Sequence, residues 1–114
     1  MLFRSLLEWA AVTQNVDGTP IADLAGYRVC HDPASIPDDK GTSDCLTNVP
    51  SPTSAPTVGD TVTATVVCPG TACYLRVFAY DHEGNESALS NEVLAQYVSI
   101  PAAPGSLTIL SISP

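Results

Sequence analysis

Apolar and polar residues alternate along much of this chain with a period of two. In the stretch 68–92, one set of alternate residues is Cys73, Leu75, Val77 and Ala79, and the other is Tyr74, Arg76, Phe78 and Tyr80. This pattern is typical of a strand with one face in a core. A reversal is predicted at 81–87, because Gly84 and Asn85 tolerate positive φ. A second run, 90–98, then returns beside the strand, so the stretch predicts a hairpin.

The remainder of the chain predicts further short strands joined by turns. Strands are expected at 2–12, 24–31, 42–49 and 61–67, and loops at 14–22, 32–41 and 50–60. The first of these strands places Leu7, Trp9 and Ala11 on one face, whereas a helix there would need burial on all sides. The ten prolines and seven glycines argue against long helices. The predicted class is therefore all-β.

Three stretches resemble bacterial fibronectin type III domains. PGTACYLRVFAYDHEGNESALSNEV resembles the last two strands of that family, Leu7-Glu8-Trp9 its second strand with a core Trp, and the stretch 23–29 its third strand. The matches occur in the family order and span roughly residues 5–97. The resemblance implies an immunoglobulin-like β-sandwich of about seven short antiparallel strands. Only residues 1–4 precede the second strand, so we expect a truncated first strand. Such sandwiches carry many unrelated functions.

Four cysteines in a small domain without a histidine-rich cluster favour two disulfides over a metal. Of the three connectivities, the spacing favours Cys30 with Cys45 and Cys68 with Cys73. A zinc site would need two close CxxC-like knuckles, and the spacings here are C-x14-C and C-x4-C. Disulfides predict an extracellular, cell-surface or virus-particle location. The first eleven residues do not resemble a signal peptide, which leaves a leader removed upstream or another route of export.

The Cys68–Cys73 corner departs from the family pattern. The inward register places Cys73 where the family has the tyrosine of its tyrosine corner, and it points Tyr74 outward. We expect the Cys68–Cys73 disulfide to replace the hydroxyl clamp. The alternative is a one-residue bulge that returns Tyr74 to that role.

The charge balance excludes several classes of partner. Four Lys and Arg stand against twelve Asp and Glu, a formal net charge of −8. This field repels phosphate backbones and anionic lipid surfaces, so neither nucleic acid nor a membrane surface is predicted as a partner. No stretch approaches the length of a membrane span. A solvated acidic surface is favoured over a cation-binding role.

No group of residues predicts catalysis or a cofactor, so we do not expect an enzyme. His31 and His82 have no nucleophile motif around them. A calcium site formed by Asp81, Glu83 and Asn85 is the weaker interpretation of that loop, because Gly84 is misplaced for an EF-hand and the residues suit an ordinary turn. The outward stripe of Tyr74, Arg76, Phe78 and Tyr80 is a candidate surface for a glycan or protein, unless another part of the chain covers it.

The carboxyl-terminal region carries the most specific functional hint. Residues 1–98 form the predicted sandwich, and 99–114 form a Pro-rich linker and an uncharged, strand-like tail containing Leu107, Ile109, Leu110 and Ile112. The tail resembles the opening of another fibronectin type III repeat. Our first hypothesis is a structural subunit of an extracellular filament or virion, a homo-oligomer or polymer in which residues 106–113 add as a strand to a neighbour. The second is a carbohydrate-binding or adhesion module from a larger secreted or surface protein.

Overall fold

The computed structural model of the 114-residue chain describes residues 2–97 and 101–114. Within these residues the chain forms six strands and no helix. The strands are β1 (Leu2–Ala10), β2 (Leu24–Asp32), β3 (Asp44–Pro50), β4 (Thr61–Pro69), β5 (Ala72–Asp81) and β6 (Val93–Gln96). The chain is therefore all-β, as the period of two predicts.

The six strands form two antiparallel sheets. One sheet pairs β1 with β4, and the other has the order β3-β2-β5-β6. Residues 2–4 do not form a separate first strand, because they are the opening residues of β1. The predicted return strand 90–98 is shorter than expected, since β6 covers Val93–Gln96 and Val98 lies outside the described residues.

The inner faces of the two sheets share one apolar core. At one end, Trp9 and Val62 from the first sheet pack with Tyr27 and Ala79 from the second. At the other end lies a buried cluster from both sheets, consisting of Val29, Val66, Cys68, Cys73 and Leu75. Alternation along each strand delivers these side chains to the same side. Burial of the apolar surface of these side chains is the main contribution to the stability of the fold.

The two strands of the smaller sheet are buried unequally. The inner residues of β4 include Val66, which is 1% exposed, and Cys68, which is 0% exposed. In contrast, the inner residues of β1 are only partly buried, although Phe3 and Leu7 are large and apolar. The core is therefore closed along β4 and incompletely covered along β1.

The tail lies outside both sheets. Residues 101–114 form no strand, and all of them are exposed. The four apolar residues that we predicted as an assembly tail are Leu107 at 97% exposure, Ile109 at 75%, Leu110 at 95% and Ile112 at 84%. The predicted domain boundary between residues 98 and 99 lies outside the described residues.

Candidate functional site

The free edge of β1 is the first component of the candidate site. Within the described residues, β1 pairs with β4 and with no other strand. The amide of Ala11 donates to the carbonyl of Asp60 at 2.9 Å in the same register as the ladder. Because bonded and non-bonded pairs alternate in an antiparallel ladder, the backbone groups of Arg4, Leu6 and Glu8 point away from β4. These residues therefore present an unpaired strand edge.

A proline on the partner strand agrees with this phase of the ladder. Pro69 lies opposite Leu2, and Leu2 belongs to the same even-numbered set as Leu6. Since proline has no N–H to donate, it fits a non-bonded position and would break a bonded one. Two independent features of the ladder therefore indicate that the backbone N–H and C=O groups of the even-numbered β1 residues point toward the open edge.

An apolar groove runs between this edge and the larger sheet. It has a volume of about 140 Å³, and its apolar lining comes from Leu7 and Trp9 of β1 and from Leu75, Val77 and Val93 of β5 and β6. No residue of β4 lines it, which places the groove on the open side of β1. An apolar cavity of similar size is large enough to hold a benzene molecule, so this groove has room for a branched aliphatic side chain.

Apolar surface continues along β1 beyond the groove. Phe3 lines a second depression with Tyr97, and their ring centroids are 6.4 Å apart. On the outer face of the small sheet, Leu2 is 67% exposed and Leu6 is 77% exposed, and Val67 of β4 is exposed beside them. The outer face next to the open edge therefore carries exposed apolar side chains, which alternate with the charged Arg4 and Glu8.

Trp9 combines a core position with an unsatisfied polar atom. Its indole packs edge-on against Tyr27, with ring centroids 5.4 Å apart, and it also lines the groove. The indole Nε1 is buried and has no hydrogen-bond partner among the described residues. Buried donors are normally paired, so the indole N–H of Trp9 is an exception: a donor beside the groove without a hydrogen bond to any described residue.

The predicted aromatic stripe on β5 is not a continuous exposed surface. Phe78 is 3% exposed and packs with Ile36, while the Lys40 ammonium lies 3.9 Å from the centre of its ring. Tyr74 packs against the same cluster. The interpretation of Phe78 as part of a partner surface is wrong, because the loop between β2 and β3 folds over it.

Arg76, the basic member of the stripe, holds that loop in place. Its Nε donates to the carbonyl of Ser90 at 2.8 Å, and its Nη1 donates to the carbonyl of Ile36 at 2.9 Å. Nη1 also lies 2.9 Å from a carboxylate oxygen of Asp38. The guanidinium thus bridges the loop and the segment before β6, which gives it a structural role.

Tyr80, like Tyr74, is a partly buried ring of the stripe. Its hydroxyl donates to the side-chain carbonyl of Asn48 on β3, and the Arg28 guanidinium lies 5.0 Å from the ring centre. These contacts fix the orientation of the Tyr80 ring, which reaches from β5 over Arg28 on β2 to Asn48 on β3. Because Phe78 between them is buried, Tyr74 and Tyr80 do not form a continuous exposed stripe.

Both disulfides form as the cysteine spacing predicts. Cys30 pairs with Cys45, and Cys68 pairs with Cys73. Cys73 points inward and is 1% exposed, so the inward register expected for this residue is confirmed, and β5 has no bulge at Tyr74. Replacement of a tyrosine corner by this disulfide stays a prediction. Two disulfides indicate that the chain folds in an oxidising, non-cytoplasmic environment.

A different tyrosine forms a hydroxyl clamp that the sequence analysis missed. Tyr27 on β2 is 1% exposed, and its hydroxyl accepts a hydrogen bond from the amide of Val12 at 2.9 Å. The clamp fastens the segment after β1 to the core. The inward position of Tyr27 was evident from the alternation, but its partner lies fifteen residues earlier in a loop and carries no local signal.

The loop 81–87, for which a calcium site was the weaker interpretation, is a turn in which the Asp81 carboxylate is already hydrogen-bonded within the loop. Asp81 Oδ1 accepts from the amides of Glu83 at 3.0 Å and Asn85 at 2.8 Å, and Oδ2 accepts from the Asn85 side-chain amide at 3.0 Å. The bond from the Asn85 side chain holds the pKa of Asp81 below its ordinary value of 3.8. Among residues 2–97 and 101–114, no three metal-ligating side chains are grouped closely enough to hold an ion.

Comparisons with known proteins return no match. No family model matches the chain, and neither a curated protein nor a solved structure is significantly similar to it. In the part of the chain that the structure describes, no helix is long and apolar enough to cross a membrane. Function must therefore be argued from the open edge, the groove and the tail.

Proposed function

We propose that this chain is a non-enzymatic structural subunit of an extracellular assembly, a filament or a virion. Each subunit is a fibronectin type III-like β-sandwich, and the subunits are joined by strand addition. In this joint, residues 106–113 of one subunit pair with an exposed sheet edge of the next. The contact is head-to-tail, so it propagates into a polymer unless the rotation between subunits closes a ring.

The pairing of the strands supports the sandwich assignment. By the sequence resemblance, β1, β2 and β5 correspond to the second, third and sixth strands of the family. In the immunoglobulin-like arrangement the second strand pairs with the fifth, and the sixth lies between the third and the seventh. The pairs β1–β4, β2–β5 and β5–β6 follow this scheme. The first strand of the scheme lies beside the second, a position that the described residues leave open.

One observation carries the functional proposal: the same chain presents an unpaired strand edge and an exposed segment with the properties of a strand. The edge is that of β1, and the segment is the tail, whose Leu107 and Ile109 are largely exposed. An open edge is a template for pairing with another chain. Strand addition satisfies the backbone groups of the edge and gives specificity through side-chain pockets.

The distribution of charge also suits a joint made by the tail. Residues 101–114 contain no charged side chain, whereas the whole chain has a formal net charge of −8. Subunits with this charge repel one another, and an uncharged joint adds no further repulsion at the contact. Since salt screens such repulsion, we expect assembly to strengthen as ionic strength rises.

The test compares two lysine substitutions in residues 99–114 of the full-length chain. Ile109→Lys places a charge among the apolar residues of the joint, and Ala103→Lys adds the same charge in the linker, outside residues 106–113. Light scattering and negative-stain microscopy report the assembly state. We expect the wild type and Ala103→Lys to assemble and Ile109→Lys to remain monomeric. Assembly of Ile109→Lys at the wild-type level would contradict the proposal.

The carbohydrate-binding or adhesion module stays the second interpretation. It relied on the outward aromatic stripe, and burial of Phe78 removes the middle of that surface. A monomeric full-length chain that binds a glycan array, and loses that binding on Tyr80→Ala, would favour it over the structural role.

A further inference from the structure

We propose that the acceptor of the joint is the open edge of β1, and that Ile109 of a second copy of this chain fills the groove between β1 and the larger sheet, with Leu107 beside it on the same face of the tail. This inference rests on the strand-addition function proposed above. It adds the acceptor strand, the pocket and the residue set on each side of the contact.

Of the two edges of the small sheet in the described residues, β1 is the one whose inner apolar side chains are only partly buried. The inner residues of β4 are already buried, as Val66 and Cys68 show. The strand β6 has four residues, too few to pair with residues 106–113 along their length. The strand β3 ends at Pro50 with Pro52 close behind, and prolines protect an edge from pairing.

The tail matches the β1 edge in length and in pattern. Residues 106–113 are one residue shorter than β1, which has nine residues. In an extended tail Leu107 and Ile109 share a face, and that face meets the apolar lining supplied by Leu7, Trp9 and Val77.

The opposite face of the tail is apolar as well, and the same placement explains why. Leu110 and Ile112 lie on the face of an extended tail opposite to Ile109. When Ile109 enters the groove, they would therefore lie on the outer surface of the small sheet. There they join Leu2 and Leu6, which are 67% and 77% exposed in the single chain. Joining the two sets covers apolar surface on both sides of the edge.

The occupant is the tail of another copy, because the tail of the same chain does not fill the groove. Ile109 is 75% exposed and Leu107 is 97% exposed, while the groove beside Trp9 stays open. Each copy thus offers one donor and one acceptor. A chain of such contacts has a free tail at one end and a free β1 edge at the other.

The ladder of the small sheet supplies a matched pair of blocking substitutions. Leu6 and Thr65 lie opposite each other in a non-bonded pair, and both side chains are exposed. The amide of Leu6 points to the open edge of β1, and that of Thr65 points to the open edge of β4. Leu6→Pro and Thr65→Pro therefore each remove one edge donor without removing a bond between β1 and β4.

We expect Leu6→Pro to abolish assembly of the full-length chain and Thr65→Pro to leave it unchanged, measured by light scattering at matched concentration. Near-UV circular dichroism, which reports the packing of Trp9 against Tyr27, checks that each variant is folded. If Leu6→Pro assembles like the wild type while Ile109→Lys does not, the β1 acceptor is wrong and the strand-addition function stands. If Ile109→Lys also assembles, the proposed function itself fails.

Hydrogen exchange of the wild type tests the same inference without a substitution. Exchange at the amides of Arg4, Leu6 and Glu8 should slow by about tenfold or more on assembly, because opening then requires release of the added strand. Exchange at Thr63 and Thr65 on the β4 edge should not change. Protection at β4 instead of β1 would overturn the assignment. Protection of β1 that is independent of protein concentration would mean that the tail closes on its own subunit, which also overturns it.

Discussion

Replacing Tyr27 by Phe isolates the hydroxyl clamp that fastens the segment after β1. The substitution keeps the ring that packs against Trp9 and removes only the acceptor of the Val12 amide, which lies 2.9 Å away in a part-buried site. Leaving a buried donor without a partner costs about 1–3 kcal/mol. Because the Val12 amide is only partly buried, water offsets some of this loss. We therefore expect the free energy of unfolding to fall by about 1–2 kcal/mol.

Urea denaturation under oxidising conditions measures this loss, with Tyr80→Phe as the matched control. The Tyr80 hydroxyl donates to Asn48 in an exposed pair, so its removal should change the stability by less than about 0.5 kcal/mol. In a thermal scan, each 1 kcal/mol corresponds to a shift of about 4–8 °C for a domain of this size. Equal effects of the two substitutions, or no effect of Tyr27→Phe, would refute the clamp.

Three further predictions concern the stability of the subunit. Gly26→Ala should destabilise it by about 1–3 kcal/mol, because the new Cβ would lie 2.7 Å from a backbone oxygen of β3, whereas Gly105→Ala meets nothing within 4 Å and should be neutral in the same urea titration. Replacing both Cys30 and Cys45 by Ser opens a link with a sequence separation of 15 and should cost about 3 kcal/mol of unfolding free energy; an unchanged urea midpoint would contradict this. The lowered pKa of Asp81 contributes stability that is fully present above the ordinary value of 3.8 and is lost as pH falls through the lower pKa of the folded state. The difference in urea midpoint between wild type and Asp81→Asn should therefore shrink as pH falls below 3.8, and a difference that does not change with pH would contradict this.

The features that could be predicted from the sequence are those with local signals. Alternation over 73–80 predicts β5 and its inward set, and both the turn that follows and the two cysteine pairs were expected from residues close in the chain. In each case the determining groups lie within a few residues, or the spacing favours one of the three cysteine pairings. The exposure of the tail follows in the same way from its prolines and its lack of a partner strand.

The features that could not be predicted depend on contacts between distant residues. Ile36 is a lone apolar residue in a polar, proline-bearing loop, and nothing near it in sequence indicates that it covers Phe78. The Tyr27–Val12 bond joins a strand to a loop. The groove beside Trp9 arises because the larger sheet extends past β1, which is a property of the assembled sheets rather than of any one stretch. The use of the tail as a joint stays a prediction.

The most direct test of that central claim is the assembly state of the full-length chain beside a chain truncated after Val98. All six strands and both disulfides lie before residue 97, so the truncation leaves the folded unit intact. Light scattering with negative-stain microscopy on both samples gives the answer. Our account predicts filaments or large oligomers for the full chain and monomers for the truncated one. Monomers in both samples, or equal assembly in both, would contradict it.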